Sequence, residues 1–286
     1  MKKIVKTIFT ATLTVVSLVA SAQTKNSLLW EISGKGLEKP SYVFGTIHII
    51  CQDDYLMTET IENTLQNADA YYAEINLGDP EGMMTMQKAM FSNVSLSKRL
   101  NANQYQEMKR LLKDVLDIDI AQFENLSNTA IISMITVKSF PCTDFKMYEM
   151  ELLQTALKQQ KKLGGLETIE QQIEIMSNSL NEDNIIQMLK ELANDGFSST
   201  KEMVEFYKAQ NIEGLYELMK KNSYMTDSVY NEILTKRNHN WMQEMPQLMK
   251  NQSVFFAVGA GHLSGSNGVL ELLKKEGYTI KPIQIQ

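Results

Sequence analysis

Two copies of one short pattern, Gly-x-x-His, lie near opposite ends of this chain. The first runs from Gly45 to His48 and the second from Gly259 to His262, and they hold two of the three histidines in the sequence. An imidazole can bind a divalent metal ion, and it can transfer a proton near neutral pH. The repetition therefore favours a metal or acid/base site over two unrelated structural histidines.

Each pattern follows an apolar segment rich in β-forming residues, at positions 41–44 and 253–258. A glycine at the end of a strand lets the backbone turn sharply, because there is no Cβ to clash. The histidine three residues later then lies at the carboxyl end of its strand, which is where ligands bind in open α/β sheets. We expect the fold to bring both imidazoles to that edge.

The elements that must position these histidines follow a simple order, with β-rich ends and a helical middle. Residues 27–32 and 41–44 predict a hairpin, and 70–76 predict a third strand. A period of 3.6 residues predicts helices over 83–90, 101–116, 125–138, 148–160, 183–193, 199–209, 212–220 and 227–245. A short strand at 162–166 precedes a helix that begins at Glu167, and residues 253–284 return to strand, helix and strand. The pattern predicts an α/β fold in which both chain ends form a single sheet, with a large helical insertion.

The first 22 residues have the features of a secretory signal peptide. Three lysines precede an apolar run at 8–19, and Ala20-Ser21-Ala22 supplies the small residues that signal peptidase recognises. The run is shorter than the roughly 20 residues of a transmembrane helix. We therefore expect cleavage before Gln23, a single domain over 23–286, and a periplasmic or secreted protein without a transmembrane segment in the mature chain.

Charge argues against a nucleic-acid partner. Loss of the three amino-terminal lysines changes the formal net charge from -6 to -9. No basic stretch is interleaved with aromatic residues, whereas phosphate binding requires clustered lysine and arginine.

The chain has two cysteines, Cys51 and Cys142. In an oxidising compartment they could form one bridge that closes a loop of about 90 residues. Two buried free thiols are the alternative. A nucleophilic pair of Cys51 with His48 is disfavoured, because a spacing of three residues on a loop does not place a base against a thiol.

Methionine is abundant, with 18 copies, most of them in the helical region. Such residues are commonly flexible core filler, and they can also line a groove that accepts varied apolar peptides. The sequence leaves both interpretations open.

Three familiar chemistries do not fit the sequence. Gly259-Ala260-Gly261 is followed by Gly265, one position too late for a dinucleotide fingerprint, and the chain ends soon after. The Gly-x-Ser-x-Gly elbow of serine hydrolases and the His-Glu-x-x-His helix of common zinc proteases are both absent.

Several segments together resemble the TraB/PrgY/GumN family, to which the Tiki metalloproteases belong. They are, in order, 29–32, 41–48, 73–75, 165–168 with Gln171, Arg237-Asn238 and 258–263. The resemblance extends from about residue 28 to 285. It implies an α/β fold related to the erythromycin-esterase and ChaN-like group (EreA/ChaN-like), with paired Gly-x-x-His motifs and acidic residues forming a divalent-metal site. Tiki members are described as proteases that depend on manganese or cobalt.

The resemblance assigns metal ligands residue by residue. His48 and His262 match the paired histidines, and Glu74, at the end of its strand, matches the acidic position. Two neutral imidazoles and a carboxylate suit manganese, cobalt or zinc, and they leave positions open for water and a carbonyl oxygen. An ordinary acid at the end of a strand is the alternative for Glu74.

Three further residues are catalytic candidates through the same resemblance. Glu149 and Glu167 are candidates for the general base or an additional ligand, and Arg237 for orienting a carboxylate or stabilising an oxyanion. The alternatives are a solvated helix face for Glu149, an acid in the first turn of a helix for Glu167, and a surface or salt-bridge residue for Arg237. Tyr148 departs from the family pattern, because many relatives have a small residue there. The third histidine, His239, is predicted to be structural or exposed.

These observations favour an exported metal-dependent hydrolase that cleaves a bond in a peptide or protein substrate. One alternative is a non-catalytic envelope protein that binds a peptide or a small ligand such as haem or a pheromone. Another is an accessory protein in which the histidines only hold loops together. Carboxylates near the histidines distinguish these classes, since hydrolysis needs them and simple capture does not.

Overall fold

The computed structural model of the protein describes residues 26–285. The predicted signal peptide, residues 1–22, therefore lies outside the described residues. Within the described part of the chain, no helix is both long enough and apolar enough to cross a membrane.

A six-stranded mixed sheet forms the centre of the fold. Its strands are, in sheet order, Lys162–Gly165 (β6), Ala70–Ala73 (β4), Val254–Gly259 (β7), Ser41–Thr46 (β2), Leu29–Ser33 (β1) and Thr279–Ile283 (β8). The first four are parallel to one another, whereas β1 is antiparallel to both β2 and β8. The predicted hairpin is confirmed, and both ends of the chain contribute strands to this sheet, together with β4 and β6 from the interior of the sequence.

Strand β7 lies in the middle of the parallel part, between β4 and β2. The side chains from Val254 to Val258 are at most 1% exposed. A continuous apolar run is typical of a parallel strand that is covered on both faces. Strand β8 is at an edge and contains Pro282, which lacks an amide hydrogen for a second ladder and is tolerated there.

Helices fill most of the chain between β4 and β7, which confirms the helical insertion. The α-helices within residues 26–285 are Glu59–Asn67 (α1), Pro80–Ala89 (α2), Leu96–Arg99 (α3), Ala102–Leu116 (α4), Asn128–Lys138 (α5), Tyr148–Lys158 (α6), Ile169–Ser179 (α7), Glu182–Asp195 (α8), Ser198–Lys208 (α9), Ile212–Lys221 (α10), Asp227–Tyr230 (α11), Arg237–Met249 (α12) and Val269–Lys275 (α13). Of these, α1 precedes β4 and α13 follows β7, and the others lie between these strands. Apolar residues of α4, α5 and α8 form a second cluster, apart from the core around the sheet.

The prediction that a helix begins at Glu167 is wrong by two residues. Thr168 is the N-cap of α7, because its hydroxyl accepts a hydrogen bond from the amide of Gln171 at 3.2 Å, and the Gln171 side chain accepts one in return from Thr168 at 2.9 Å. Glu167 therefore lies in the connection after β6. Its amide donates to the carbonyl of Glu74 at 2.9 Å, so the sheet fixes its position.

The helix predicted over 227–245 is interrupted. Between α11 and α12, residues Asn231–Lys236 form a π-helical turn, and Arg237 is the first residue of α12. Turns of this kind are rare and occur often at functional sites.

A small second sheet was not predicted from the sequence. Ile50–Cys51 (β3) pairs antiparallel with Phe145–Lys146 (β5), and two-residue strands are too short to produce a periodic pattern. Beside it, Cys51 and Cys142 form a disulfide with their Cα atoms 5.9 Å apart, so the bridged interpretation is the one observed. The bridge joins the loop after His48 to the segment that leads into Glu149.

Candidate active site

Four neighbouring parallel strands each lead into one of the predicted site residues. In sheet order, β6 is followed by Glu167, β4 by Glu74, β7 by His262 and β2 by His48. The carboxyl ends of parallel strands lie at one edge of a sheet, which is the usual place for a ligand in this class of fold. The four side chains therefore start from one edge, although they are far apart in sequence.

The two Gly-x-x-His loops contact each other directly. Thr46 and Gly259 are paired in register at the ends of β2 and β7. A Cβ added at Gly45 would lie 2.7 Å from Cδ1 of Leu263 and 3.1 Å from Cα of Ala260. Glycine at position 45 is thus required for this approach, because any larger residue would push the loops apart.

Tyr148, which departs from the family pattern, supports the first of these loops. Its ring is fully buried and packs edge-on against Tyr207, and its hydroxyl accepts a hydrogen bond from the amide of Leu56 at 2.8 Å. Tyr207 in turn donates to the carbonyl oxygen of Gly45 at 3.0 Å. The large side chain therefore fills the core below the loop and leaves the next residue, Glu149, at the start of α6.

Glu74 is buried, with 7% of the residue exposed, and both of its oxygens accept hydrogen bonds. Oε1 accepts from the amide of Gly259 at 2.8 Å, and Oε2 accepts from the side-chain amide of Gln172 at 3.1 Å and from Arg237. A buried carboxylate persists in a fold only when it is paired in this way. Glu74 thereby links β4 to the loop that carries His262.

Arg237 forms the centre of a buried ionic cluster. Its Nε donates to Glu167 at 3.0 Å, one terminal nitrogen donates to both Glu74 and Glu167, and the other donates to the carbonyl of Ile233 at 2.9 Å. Trp241 also donates to Glu167, at 3.3 Å. One guanidinium thus donates hydrogen bonds to two carboxylates. It also donates to a backbone carbonyl of the π-helical turn, that of Ile233.

The ionic cluster controls the protonation of its members. Burial by itself would raise the pKa of Glu74, but Arg237, the two histidines and the amide of Gly259 together outweigh burial and hold that pKa well below its usual range. Burial likewise favours the neutral form of Arg237, yet the Glu74 and Glu167 carboxylates raise its pKa further. Both groups are therefore charged.

His262 is buried and neutral. Burial lowers its pKa to about 3, although the Glu74 carboxylate acts in the opposite direction. The amide nitrogen of Asn238 donates to the carbonyls of His262 and Asn267, so its oxygen accepts, and Nδ1 of His262 donates to that oxygen at 2.6 Å. Hydrogen bonding thus assigns the proton to Nδ1. Nε2 has a lone pair, and Arg237 donates to it at 3.1 Å.

His48 is anchored in a similar way, but it is exposed. Its Nδ1 lies 3.0 Å from Oε1 of Glu149, and the hydroxyl of Thr46 donates to the same oxygen at 2.8 Å. The carboxylate of Glu149 raises the pKa of His48. Burial would raise the pKa of Glu149, but His48 lowers it. The His48 side chain is 73% exposed, and among the described residues its Nε2 has no hydrogen-bond partner.

An open cavity of about 380 Å³ brings the two anchored histidines into one space. Its walls include His48, Glu74, Arg237 and His262. Glu149 and Glu167 are not on the cavity wall, but they are hydrogen-bonded to two residues that are, Glu149 to His48 and Glu167 to Arg237.

His239 lies outside the cavity. It is exposed, and its ring nitrogen is 3.3 Å from the side chain of Asn267. Three residues of the site were not predicted, namely Thr46, Gln172 and Trp241. Gln172 and Trp241 lie outside any recognisable motif. Thr46 lies inside the first Gly-x-x-His pattern, which is the signal that could have identified it.

A second and larger cleft, about 840 Å³, lies on the other side of Glu167. Its walls carry the acidic residues Asp79, Glu170, Glu174 and Glu244, and neither His48 nor His262 reaches it. Chemistry that needs an imidazole therefore belongs to the smaller cavity.

The donor atoms at the cavity fit a divalent cation in type and, for one pair, in spacing. Nε2 of His262 and Oε1 of Glu74 are 3.6 Å apart, which is compatible with two ligands at about 2.0–2.2 Å from one ion. Over residues 26–285, no three His, Cys, Asp or Glu side chains have already converged as ligands. Arg237 occupies the lone pair of His262 and must give way for an ion to bind there.

Comparison with known proteins identifies the family. The sequence profile described as the TraB/PrgY/gumN family matches residues 28–282. The chain belongs to the TraB/PrgY/gumN family. The match covers nearly all of the described residues, including both Gly-x-x-His loops. No solved structure matches the chain significantly, so the relationship to the erythromycin-esterase and ChaN-like folds stays a prediction.

Curated relatives in this family carry metalloprotease names. The chain is 23% identical to Metalloprotease TIKI2 of Danio rerio over 322 residues, which cover 91% of this chain and 62% of that protein. It is 24% identical to Metalloprotease TIKI1 of Xenopus tropicalis over 317 residues, covering 89% of this chain and 61% of that protein. It is 23% identical to human Metalloprotease TIKI1 over 318 residues, covering 90% and 62%. The chain spans about three-fifths of the length of these relatives.

Proposed function

We propose that this protein is an exported, metal-dependent hydrolase that cleaves a bond in a peptide or protein substrate. The observation that carries the proposal is the anchoring of two histidines on one cavity. Nδ1 of His48 is bonded to a carboxylate and Nδ1 of His262 to an amide oxygen. Metal-binding histidines commonly have such a partner on one ring nitrogen, which orients the other nitrogen towards the ion.

The proposed ligands are Nε2 of His48, Nε2 of His262 and a carboxylate oxygen of Glu74. A bound ion would supply an activated water near neutral pH and would polarise the substrate carbonyl. Imidazole and carboxylate donors suit manganese, cobalt or zinc. The relatives' metalloprotease names support this choice of cofactor.

Glu149 is the proposed general base. One of its oxygens is held by Thr46 and His48, whereas the other has no side-chain partner among the described residues. Its pKa is lowered, so it is ionised and can accept the proton of the attacking water. The proton then passes to the amine that leaves as the carbon–nitrogen bond breaks.

Arg237 and Glu167 are proposed to position the other groups. Each nitrogen of Arg237 already donates to a protein group, and Glu167 accepts hydrogen bonds from two of them. Arg237 therefore helps to keep Glu74 ionised and, together with burial, keeps His262 neutral, and these are the forms that bind a cation. In this arrangement Arg237 has no free nitrogen for the substrate.

Export is part of the proposal, and the disulfide supports it. A bridge such as Cys51–Cys142 persists in oxidising compartments and is rare in the cytosol. The bridge agrees with the signal peptide predicted for residues 1–22.

Histidine variants test the proposed function. The protein is stripped with EDTA, reloaded separately with Mn²⁺, Co²⁺ or Zn²⁺, and incubated with a mixture of peptides whose products are found by mass spectrometry. His48→Ala and His262→Ala should each abolish metal-dependent cleavage. His239→Ala is the matched control and should behave as the parent, because His239 lies outside the cavity. A His48→Ala protein that binds metal and cleaves peptides like the parent would defeat the proposal.

A further inference from the structure

The cavity beside the candidate catalytic groups has an apolar wall in which methionine is the most frequent residue. Five of the 18 methionines in the chain line it, namely Met176, Met188, Met203, Met219 and Met225. They come from four helices, α7 to α10, and from the loop before α11. Since methionine is unbranched and polarizable, it adapts its shape to varied apolar partners.

The methionine wall is continuous with the proposed catalytic edge. A Cβ added at Gly261 would lie 3.0 Å from Cε and 3.2 Å from Sδ of Met219, so this thioether packs directly on the second Gly-x-x-His loop. Met176 and Met219 pack on the small apolar cluster around Leu234, and Met203 packs on the core around the sheet. The cavity therefore lies between the core around the sheet and the small apolar cluster around Leu234, where the two do not pack together completely.

The carboxylates on the cavity wall already accept hydrogen bonds from the protein. Both oxygens of Asp195 accept from backbone amides, of Phe197 at 2.9 Å and Ser199 at 3.1 Å, and Glu191 accepts from the backbone amide of Ser223. Arg237 is committed to its own carboxylates. An incoming charged side chain would lose much of its hydration against the surrounding apolar side chains.

From the methionines of this wall and their contact with the second Gly-x-x-His loop, we infer that this cavity is the specificity subsite of the proposed peptidase. It receives a long, flexible, uncharged side chain, such as that of methionine, from the substrate residue next to the scissile bond. The inference rests on the proposed function and adds the class of substrate to it. Its volume, about 380 Å³, is in the usual range for a pocket that binds a small organic group.

A series of peptides that differ at one residue tests this specificity. Otherwise identical peptides carry methionine, alanine, aspartate or lysine at that position, and mass spectrometry identifies the bond that is cut. We expect kcat/KM for the methionine peptide to exceed that for the aspartate and lysine peptides by at least tenfold, since even one methylene in an apolar pocket can change it by roughly 10-fold to 200-fold. A flat profile in an active protein would overturn the inference and leave the proposed function intact.

Variants of the wall provide the second arm of the test. Met219→Ala should lower kcat/KM for the methionine peptide about tenfold, mainly through KM, and should change the alanine peptide little. Met84→Ala, at a position that is 55% exposed, and Met249→Ala, in the core and 1% exposed, are the surface and core controls. Met203→Ala replaces Met219→Ala if the latter does not fold. Equal losses for every peptide would show a structural role only.

Binding measurements separate the two proposals if no peptide is cleaved with any of the three metals. In that case the proposed function fails, and calorimetry with the methionine peptide and metal-free protein decides the inference alone. Binding by the parent that weakens about tenfold in Met219→Ala supports an apolar subsite in a binding protein. Equal affinity for the methionine and aspartate peptides, or no binding of either, rules it out.

Discussion

Nε2 of His262 and Oε1 of Glu74 face each other across 3.6 Å at the ends of two adjacent strands. Arg237 bonds to both residues. The same guanidinium therefore keeps the carboxylate charged and, together with burial, keeps the imidazole neutral. A metal ion that binds between the two residues must displace or share this interaction.

Replacing Arg237 by methionine should destabilise the protein by about 3–5 kcal/mol, because Glu74 and Glu167 would lose the cation that balances their buried charges. Urea unfolding at pH 7 in EDTA measures the loss. Arg110→Met is the control, because Arg110 makes only an exposed pair with Asp114, worth roughly 0.5 kcal/mol or less. A loss for Arg237→Met no greater than that of the control would contradict the ionic cluster.

The same variant should also change how stability depends on pH. In the parent, the lowered pKa of Glu74 contributes stability above the unfolded-state pKa of about 4.3, and this contribution is lost as the pH falls. Without Arg237, burial prevails and raises the pKa of Glu74. The deficit of Arg237→Met relative to the parent should therefore shrink as the pH falls from about 7 to about 4. Unfolding curves at several pH values check this, and a constant deficit would show that Glu74 is not the titrating group.

Glu149→Gln should separate catalysis from metal binding. The amide oxygen can still accept a hydrogen bond from His48, so metal affinity should change less than tenfold, whereas kcat should fall at least about 100-fold because the amide cannot accept a proton. Calorimetry and saturating-substrate kinetics measure the two quantities. Glu151→Gln, on the same helix and paired with Lys146, is the matched control. A kcat within threefold of the parent would remove Glu149 as the base.

Loss of the disulfide should reduce both stability and activity. The Cys51→Ser, Cys142→Ser double variant opens a loop with a sequence separation of 91 residues, for which the chain-entropy model gives about 4–5 kcal/mol. It also frees the segment before Glu149 from the loop after His48, so kcat should fall. Denaturant unfolding and peptide kinetics test this. A reductant should lower the stability of the parent but not that of the double variant, since the chain has no other cysteine. Unchanged stability of the reduced parent would contradict the expectation.

Export should leave a mature protein that begins at Gln23 or within one or two residues of it. Intact-mass measurement on periplasmic material detects the cleavage, and the oxidised bridge should lower the mass by about 2 Da relative to the reduced form. A protein that retains Met1 would be incompatible with the signal peptide.

The sequence by itself determined the local features of this protein. The apolar runs before each glycine predicted strands, and the 3.6-residue period predicted most of the helices, because both signals depend on neighbours a few residues apart. It also placed His48, His262 and Glu74 at the ends of strands. The family motifs added Glu149, Glu167 and Arg237 as candidates without saying which residues contact one another.

Only the tertiary structure decided which of these side chains meet. Strand pairing in the order β6, β4, β7, β2 joins segments that are distant in sequence, and local periodicity contains no information about such pairing. The contacts of His48 with Glu149 and of Arg237 with Glu74 span 101 and 163 residues. The choice between methionine as core filler and methionine as a binding wall depended on the same long-range packing, which leaves five of them around one open cavity.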